Sequence, residues 1–240
     1  LNYGDKKLLK NFYPMMKDYI DVLIDKDIKQ GNFHLILEGF TYGDWLAQDG
    51  ENNRRNFGGT DHIFIKSVYY YHAMDLLTKA AKELGYNYDY IKYTQFKKEI
   101  YKAILEEFFS FDGKLILNTQ TSFVLCLQYK IYKNKTIIIE DFKERIKNDL
   151  YHIKTGFTGT PLMLLVLFDN GLNDIAYRIL YNENDPGWLF AINLGATTIW
   201  ERWNSMLENG TVNDSGMNSF NHYAYGSVCE AIYSRIAGLR

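Results

Sequence analysis

The sequence predicts an all-α protein built from helical hairpins, and three of its features support this. Apolar residues recur every three or four positions in about nine separate segments. Glycine, proline and Asn/Asp clusters punctuate these segments, and almost nowhere does the strict apolar–polar alternation of a β-strand occur. With 240 residues, 47% of them apolar, the chain can bury one sizeable core. We therefore expect a single domain over residues 1–240.

Each helix can be placed from its apolar period and its end signals. The first is predicted over Asp5–Ile24, with Asp5 as the N-cap. A long glycine-rich loop follows, from Gly31 to Gly59, and long loops in compact domains are usually functional. The remaining helices are predicted over Thr60–Leu84 and Tyr90–Ser110, which form an αα-hairpin, and then over Thr121–Ile131, Ile139–Tyr151, Pro161–Phe168, Asn173–Asn182, Trp188 to near Gly195, and Ser219–Leu239.

Charge and hydropathy exclude two kinds of partner. The chain has 27 basic and 29 acidic residues, a formal charge of -2. This balance gives no electrostatic basis for binding nucleic acid or an anionic membrane. No apolar run approaches the ~20 residues of a membrane helix, and no signal peptide opens the chain, which leaves the compartment undecided between cytoplasmic and secreted.

The sequence also gives no indication of a metal or a cofactor. Cys126 and Cys229 both lie in apolar helical runs, where we expect buried, reduced thiols. The five histidines have no zinc-binding spacing. The turn Thr155–Pro161, with two glycines before a helix, could cradle a phosphate, but it lacks the lysine and the glycine pattern of nucleotide-binding loops.

Residues 195–226 concentrate side chains suited to binding a sugar. One carboxylate, Glu201, is flanked by Trp200 and Trp203, and one histidine, His222, is surrounded by asparagines and aromatic residues. A pyranose stacks an apolar face on aromatic rings and offers a rim of hydroxyls to polar groups, and glycosidases need carboxylates at the anomeric carbon. The alternative is an amphipathic helix with core tryptophans and solvated charges. At ~100° per residue of such a helix, we expect one tryptophan to pack in the core and the other to border the pocket.

The segments 195–205 (GATTIWERWNS) and 217–227 (MNSFNHYAYGS) resemble the C-terminal signature of the α-L-rhamnosidases of glycoside hydrolase family 78. Further matches follow the family's order over nearly the whole chain, at residues 3–9, 13–23, 43–47, 119–125, 155–164, 169–180 and 186–188. The resemblance implies an (α/α)6 toroid, of which this chain would hold the C-terminal portion with about nine of the twelve helices. It also implies inverting hydrolysis of terminal α-L-rhamnosides without a nucleotide or redox cofactor.

The resemblance suggests roles for five residues. Glu201 matches the general base of the family, and His222 matches a sugar-contacting histidine. The Gly-Asp-Trp segment at 43–45 is similar to a motif that lines the sugar pocket. We therefore expect Trp45 to contact the sugar and Asp44 to accept a hydrogen bond from one of its hydroxyls, with Trp203 as a further substrate contact.

The general acid of the family lies upstream of the region that Leu1 matches, beside a proline that has no counterpart here. Of the loop carboxylates Glu38, Asp44 and Asp49, none fits that position. We therefore expect the acid outside this chain, little activity from the chain alone, a rhamnose-containing glycoside as ligand, and the remainder of the catalytic domain, in the same or a complementary polypeptide, as partner. The alternatives are an (α/α)6 glycosidase of different sugar specificity and a non-catalytic carbohydrate-binding or scaffold remnant.

Overall fold

The computed structural model describes residues 4–50 and 56–239, so part of the Gly31–Gly59 loop, residues 51–55, lies outside it. Over these ranges the chain is mainly helical, and an isolated β-bridge pairs Met206 with Val212. The helices are α1 (Lys6–Lys29), α2 (His62–Leu84), α3 (Asn87–Phe108), α4 (Gln120–Tyr129), α5 (Lys135–Asn148), α6 (Thr160–Asp169), α7 (Asn173–Leu180), α8 (Trp188–Asn193) and α9 (Val228–Ala231). A 3-10 turn, Ala224–Ser227, precedes α9, and a π-helical turn, Ile232–Ile236, follows it.

The chain divides into two compact units. The first unit comprises Leu1–Thr41 and Asp61–Phe111, and the second comprises Tyr42–Thr60 and Asp112–Arg240. The single domain expected from the length stays a prediction.

In the first unit, α2 packs against both α1 and α3, which confirms the predicted αα-hairpin. Asp61 caps α2 by accepting a hydrogen bond from the N–H of Phe64, and Gly85 ends the helix with φ 75°. Glycine suits this end because left-handed backbone is costly for other residues.

Helix α1 has two apolar faces. One face is buried through Tyr13, Ile20 and Ile24. The other exposes apolar side chains at intervals of three and four residues, each at least half exposed: Leu8, Phe12, Met15, Tyr19 and Val22. We call these five residues the α1 stripe. Such spacing places them on one side of the helix.

The second unit is built around α4 and α6. Helix α4 packs against α5 and α6, and α6 also packs against α7 and α9. Residues 120–127 of α4 are all buried, and the helix begins with a capping box between Thr119 and Ser122. Burial on every side explains why α4 shows little amphipathic period.

The structure corrects two sequence-based expectations in the C-terminal region. Residues 219–223 are not helical, and neither is the segment around Glu201. The reason is that their backbone groups pair with each other: the N–H of Glu201 donates to Ser219 O at 2.9 Å, and the N–H of His222 donates to Ile199 O at 2.8 Å. Groups used in this way cannot form helical hydrogen bonds.

The cysteines and the hydropathy give two further results. Cys126 is fully buried as expected, and burial raises the pKa of its thiol. Cys229 is exposed, so the expectation that it is buried was wrong.

No helix among the described residues combines the length and the apolar character needed to span a membrane.

Candidate functional site

The centre of the candidate site is the turn before α6, residues 155–160, which we call the Gly turn. The backbone N–H groups of Gly156, Thr158 and Gly159 donate hydrogen bonds to the Asp44 carboxylate at 2.8, 2.8 and 3.1 Å, and the Thr121 hydroxyl donates to it as well. The Asp44 side chain is fully buried. Burial raises the pKa of Asp44, and these four donors oppose that rise.

This arrangement explains the glycines of the turn. A Cβ atom on Gly156 would lie 2.1 Å from Trp45 O and 2.5 Å from Ala47 N, so only glycine allows the two backbones to approach this closely. The N–H groups that could have cradled a phosphate are occupied by a carboxylate of the same chain. Asp44 thus holds the loop after residue 42 against the Gly turn, and its contact with a substrate hydroxyl stays a prediction.

The Gly turn also holds three other residues predicted for the site. The N–H of Phe157 donates to Trp45 O at 2.8 Å. Trp203 Nε1 donates to Thr155 O at 3.2 Å. The Phe157 ring stacks on His222, with ring centroids 5.1 Å apart and planes 23° apart. One turn therefore connects residues that lie far apart in the sequence.

Glu201 is held through Ser219, which belongs to the other sugar-site segment. Besides the backbone bond described above, the N–H of Ser219 donates to Glu201 Oε2 at 3.0 Å. Within the described ranges Oε1 makes no hydrogen bond, and the side chain is partly exposed. One oxygen of the carboxylate is thus anchored, while the other is available.

His222 lies between two aromatic rings. Besides Phe157, Tyr223 stacks on it, with centroids 4.9 Å and planes 19° apart. The N–H of Ala224 donates to His222 Nδ1 at 3.3 Å. The neutral imidazole therefore carries its proton on Nε2, which is left to donate to a ligand.

The two tryptophans beside Glu201 are both buried, with exposed fractions of 5% for Trp200 and 4% for Trp203. The expectation that one packs in the core while the other borders the pocket assumed a helix, and it fails because the segment is irregular. Trp203 stacks on Tyr225, with centroids 3.9 Å apart. Both tryptophans nevertheless line one largely apolar cavity of about 280 Å3, so a role for Trp203 in substrate binding stays a prediction.

Trp45 is only half-buried and contacts Tyr42 and Phe57 edge to face, with centroids 5.4 and 5.1 Å apart. Its role as a sugar contact also stays a prediction. Its exposure is what a stacking platform requires.

Sequence reasoning missed three residues that organise this site: Phe157, Ser219 and Tyr225. In the described part of the chain, the buried Tyr225 hydroxyl has no hydrogen-bond partner. Burial raises its pKa well above the ordinary value, and the nearby charges of Asp44 and Glu201 act in the same direction. An aromatic residue between the two glycines of the turn was the one available signal for Phe157.

Across residues 4–50 and 56–239 no three His, Cys, Asp or Glu side chains lie close enough together to hold a metal ion. The available chemistry is that of a carboxylate, an imidazole and stacked aromatic rings.

A carboxylate, an imidazole and stacked aromatic rings, held on a frame of helical hairpins, are the features of a helical-hairpin glycosidase domain. This chain belongs to the family described as the bacterial alpha-L-rhamnosidase 6 hairpin glycosidase domain, whose model matches residues 1–236. The family and the all-α, (α/α)6 fold class expected from the sequence are thereby confirmed.

Several proteins of this family are similar to the chain. An alpha-L-rhamnosidase of Alteromonas sp. (strain LOR) is 38% identical over 99% of this chain and 26% of its own length. The crystal structure of Streptomyces avermitilis alpha-L-rhamnosidase complexed with L-rhamnose gives a TM-score of 0.84 at 35% identity, over 98% of this chain and 22% of that one. The structure of the native Aspergillus terreus enzyme gives 0.85 at 30% identity, over 97% and 27%. The chain thus spans about a quarter of the length of these relatives.

Proposed function

We propose that this chain supplies the general base and part of the sugar platform for inverting hydrolysis of terminal α-L-rhamnosides. The observation that carries the proposal is the asymmetric environment of Glu201: Oε2 is fixed by the N–H of Ser219, while Oε1 makes no hydrogen bond within the described ranges. A base needs one oxygen free to take a proton from water and a support that keeps it in place.

In this mechanism Glu201 Oε1 accepts a proton from a water molecule whose oxygen attacks the anomeric carbon. The bond to the leaving-group oxygen breaks on the opposite face, and that oxygen takes a proton from a general acid. His222 donates from Nε2 to a sugar hydroxyl, and Trp45 stacks on the apolar face of the ring.

The general acid is proposed to come from residues outside this chain. The Asp44 carboxylate already accepts hydrogen bonds from four donors of its own chain. Asp49 has a pKa raised to about 6 by burial, but the charges that most affect it are those of Asp44 and Arg145. Neither carboxyl is tied to the Glu201 segment by a hydrogen bond.

The proposed partner is the remainder of the catalytic domain, in the same or a complementary polypeptide. The α1 stripe supports this, because five exposed apolar side chains on one helix face are suited to packing against another helix. The chain covers about a quarter of the length of its relatives, which agrees with a domain that needs further segments.

The test is to incubate an active polypeptide that contains this chain with an aryl α-L-rhamnoside. Proton NMR then identifies the anomer of rhamnose that is released first. Inversion releases β-L-rhamnose before mutarotation. Initial release of the α-anomer would refute the inverting mechanism, and hydrolysis of other aryl glycosides but not the rhamnoside would favour a different sugar specificity. Binding of L-rhamnose without turnover would favour the non-catalytic alternative.

A further inference from the structure

The chain contains two Asn-Gly dipeptides, Asn170-Gly171 and Asn209-Gly210. A glycine after an asparagine leaves the glycine nitrogen free to approach the side-chain amide, because glycine has no Cβ atom and tolerates most backbone conformations. The nitrogen can then attack the amide carbon and expel ammonia. Both glycines have left-handed backbone, with φ 73° for Gly171 and 77° for Gly210. The dipeptides are therefore alike in sequence and in backbone conformation, and only their surroundings distinguish them.

Asn209 lies in an exposed turn inside the β-bridge between Met206 and Val212. The Gly210 N–H donates a hydrogen bond to Leu207 O, and the Leu207 N–H donates to Thr211 O, each at 2.8 Å. Asn209, Gly210 and Thr211 are all exposed. Solvent therefore reaches the reacting groups, and the glycine nitrogen is held only by a bond at the surface.

Thr211 polarises the side-chain amide of Asn209. Its backbone N–H donates to Asn209 Oδ1 at 3.0 Å, and its hydroxyl donates to the same oxygen at 2.7 Å. Two donors on a carbonyl oxygen stabilise the negative charge that develops there when a nucleophile adds to the carbon. In the described part of the chain, Asn209 Nδ2 makes no hydrogen bond. The amide carbon is thus activated, and the leaving nitrogen is free.

Asn170 has the opposite surroundings. It is half-buried and ends helix α6. Its Nδ2 donates to Val166 O at 2.7 Å, and its backbone N–H donates to the same carbonyl at 3.2 Å. Within the described ranges no donor contacts its Oδ1. Reaction at Asn170 would have to break the Nδ2 bond and distort the end of the helix.

We infer that Asn209 is a site of spontaneous deamidation in the folded protein and that Thr211 promotes the reaction. The Gly210 nitrogen bonds to Asn209 Cγ, the Cγ–Nδ2 bond breaks, and the proton of the Gly210 nitrogen passes through solvent to the leaving group, which departs as ammonia. The product is a cyclic imide. Water adds to either of its carbonyl carbons and opens the ring to aspartate or isoaspartate, so water is the only co-reactant.

The modification changes the turn in two ways. Either product places a new carboxylate next to Glu208, in a chain whose formal charge is already -2. Isoaspartate also lengthens the backbone by one carbon atom, within a turn that two hydrogen bonds close. The inference concerns the chemistry of this turn and does not depend on the proposed function.

The test is incubation of the full chain at mildly alkaline pH, followed by mass spectrometry of its peptides, which measures the conversion of amide to acid at both asparagines. Enzymatic methylation of isoaspartate identifies that product. In the folded chain Asn209 should react about tenfold faster than Asn170, the effect of the hydrogen bond that must first break at Asn170. In guanidinium chloride, where only sequence neighbours act, the two rates should be similar.

Thr211→Val tests the promoting role, because it removes the hydroxyl donor and keeps the backbone donor and the size of the side chain. In the folded chain it should slow the reaction of Asn209 about fivefold, the effect of one hydrogen bond. It should change neither the rate at Asn170 nor the rates in guanidinium chloride. Thr136→Val is the matched control, since the Thr136 N–H likewise donates to an asparagine two residues earlier, Asn134. This variant should leave the rate at Asn209 unchanged.

Two results would overturn the inference. Equal rates at the two asparagines of the folded wild type, or slower reaction of Asn209 in the folded chain than in guanidinium chloride, would mean that the turn protects the amide. An unchanged rate in folded Thr211→Val would refute the role of Thr211. The wild-type comparison needs no variant to fold, and neither result bears on glycosidase activity.

Discussion

The two oxygens of the Glu201 carboxylate have different environments, and this difference makes a test of its role possible. Glu201→Gln keeps the shape and the acceptor for the Ser219 N–H but removes the basic oxygen. In an active polypeptide containing this chain, kcat should fall by about two to four orders of magnitude, with a smaller change in KM. Steady-state kinetics on an aryl rhamnoside measures this.

The matched control is Glu208→Gln, at an exposed glutamate in the same irregular region. It should leave kcat unchanged. Near-normal turnover by the Glu201 variant would exclude Glu201 as the base.

Asp44 is expected to be a major determinant of stability. Asp44→Ala leaves three backbone N–H groups and the Thr121 hydroxyl without their acceptor, in a site where the side chain is 0% exposed. We expect a loss of about 3–5 kcal/mol in the free energy of unfolding, measured by denaturant titration. Asp214→Ala, at an exposed aspartate, should cost less than about 0.5 kcal/mol. Similar losses for the two variants would contradict the role assigned to Asp44.

Asp49 should make stability depend on pH between about 4 and 6. Its Oδ1 accepts a hydrogen bond from Gly59 N–H at 2.8 Å, and its buried Oδ2 has no hydrogen-bond partner among residues 4–50 and 56–239. Burial raises its pKa from 3.8 to about 6. Because the folded-state pKa lies above the unfolded value, the folded state holds the proton more tightly. The contribution of this group to stability is therefore lost as pH rises through that window.

Asp49→Asn removes this loss. Relative to wild type, the variant should gain about 1–2 kcal/mol on going from pH 4 to pH 7, a value reduced for partial solvent screening. Denaturant titrations at several pH values measure the difference. Parallel pH profiles for the two proteins would show that Asp49 titrates normally.

Among the structural elements, the Gly turn depends on a close approach of two backbone segments that sequence periodicity does not reveal. We expect Gly156→Ala to lower the free energy of unfolding by about 2–4 kcal/mol. The reason is that the new Cβ would meet backbone atoms of Trp45 and Ala47 rather than a side chain that could move. Thermal unfolding measures this. Gly226→Ala is the control, since its Cβ would make only an ordinary contact, 3.6 Å from Ile199. Equal melting temperatures for Gly156→Ala and wild type would contradict the close approach.

At the scale of the whole chain, the α1 stripe should govern solubility. Met15→Lys combined with Tyr19→Lys places two charges on the stripe, at side chains 62% and 60% exposed, and should lower self-association of the isolated chain. Light scattering after size exclusion measures the associated fraction. Asp18→Asn combined with Asp25→Asn gives the same change in net charge at exposed positions outside the stripe. If this control lowers association equally, net charge rather than the stripe is responsible.

Local signals in the sequence were enough to place most of the helices. The starts of α1 and α2 fall within two residues of their predicted positions, because Asp5 and Asp61 cap them with their own side chains. Helix α5 begins a turn earlier than predicted, at Lys135, where Asn134 provides the cap. These features depend on neighbours within four residues, and a sequence displays them directly.

The candidate site was predictable only in part. Residue types and motif order indicated Glu201, His222 and Trp45, since a sugar requires such groups whatever the backbone does. The irregular path around Glu201 was not predictable, because it follows from backbone pairing with Ser219, eighteen residues away. A helical period was therefore assumed where none exists, and both tryptophans proved to be buried.

The amino-acid order of this chain thus specified its all-α class, most helix ends, its family and the chemical groups of its site. Tertiary structure alone decided which groups are free to act. The Asp44 carboxylate accepts a hydrogen bond from the N–H of Gly156, 112 positions further along the chain, while its contact with a sugar stays a prediction. A hydrogen bond over such a separation leaves no periodic or local trace in the sequence, because its partners meet only when α4 and α6 pack together and bring Thr121 and the Gly turn to the same carboxylate.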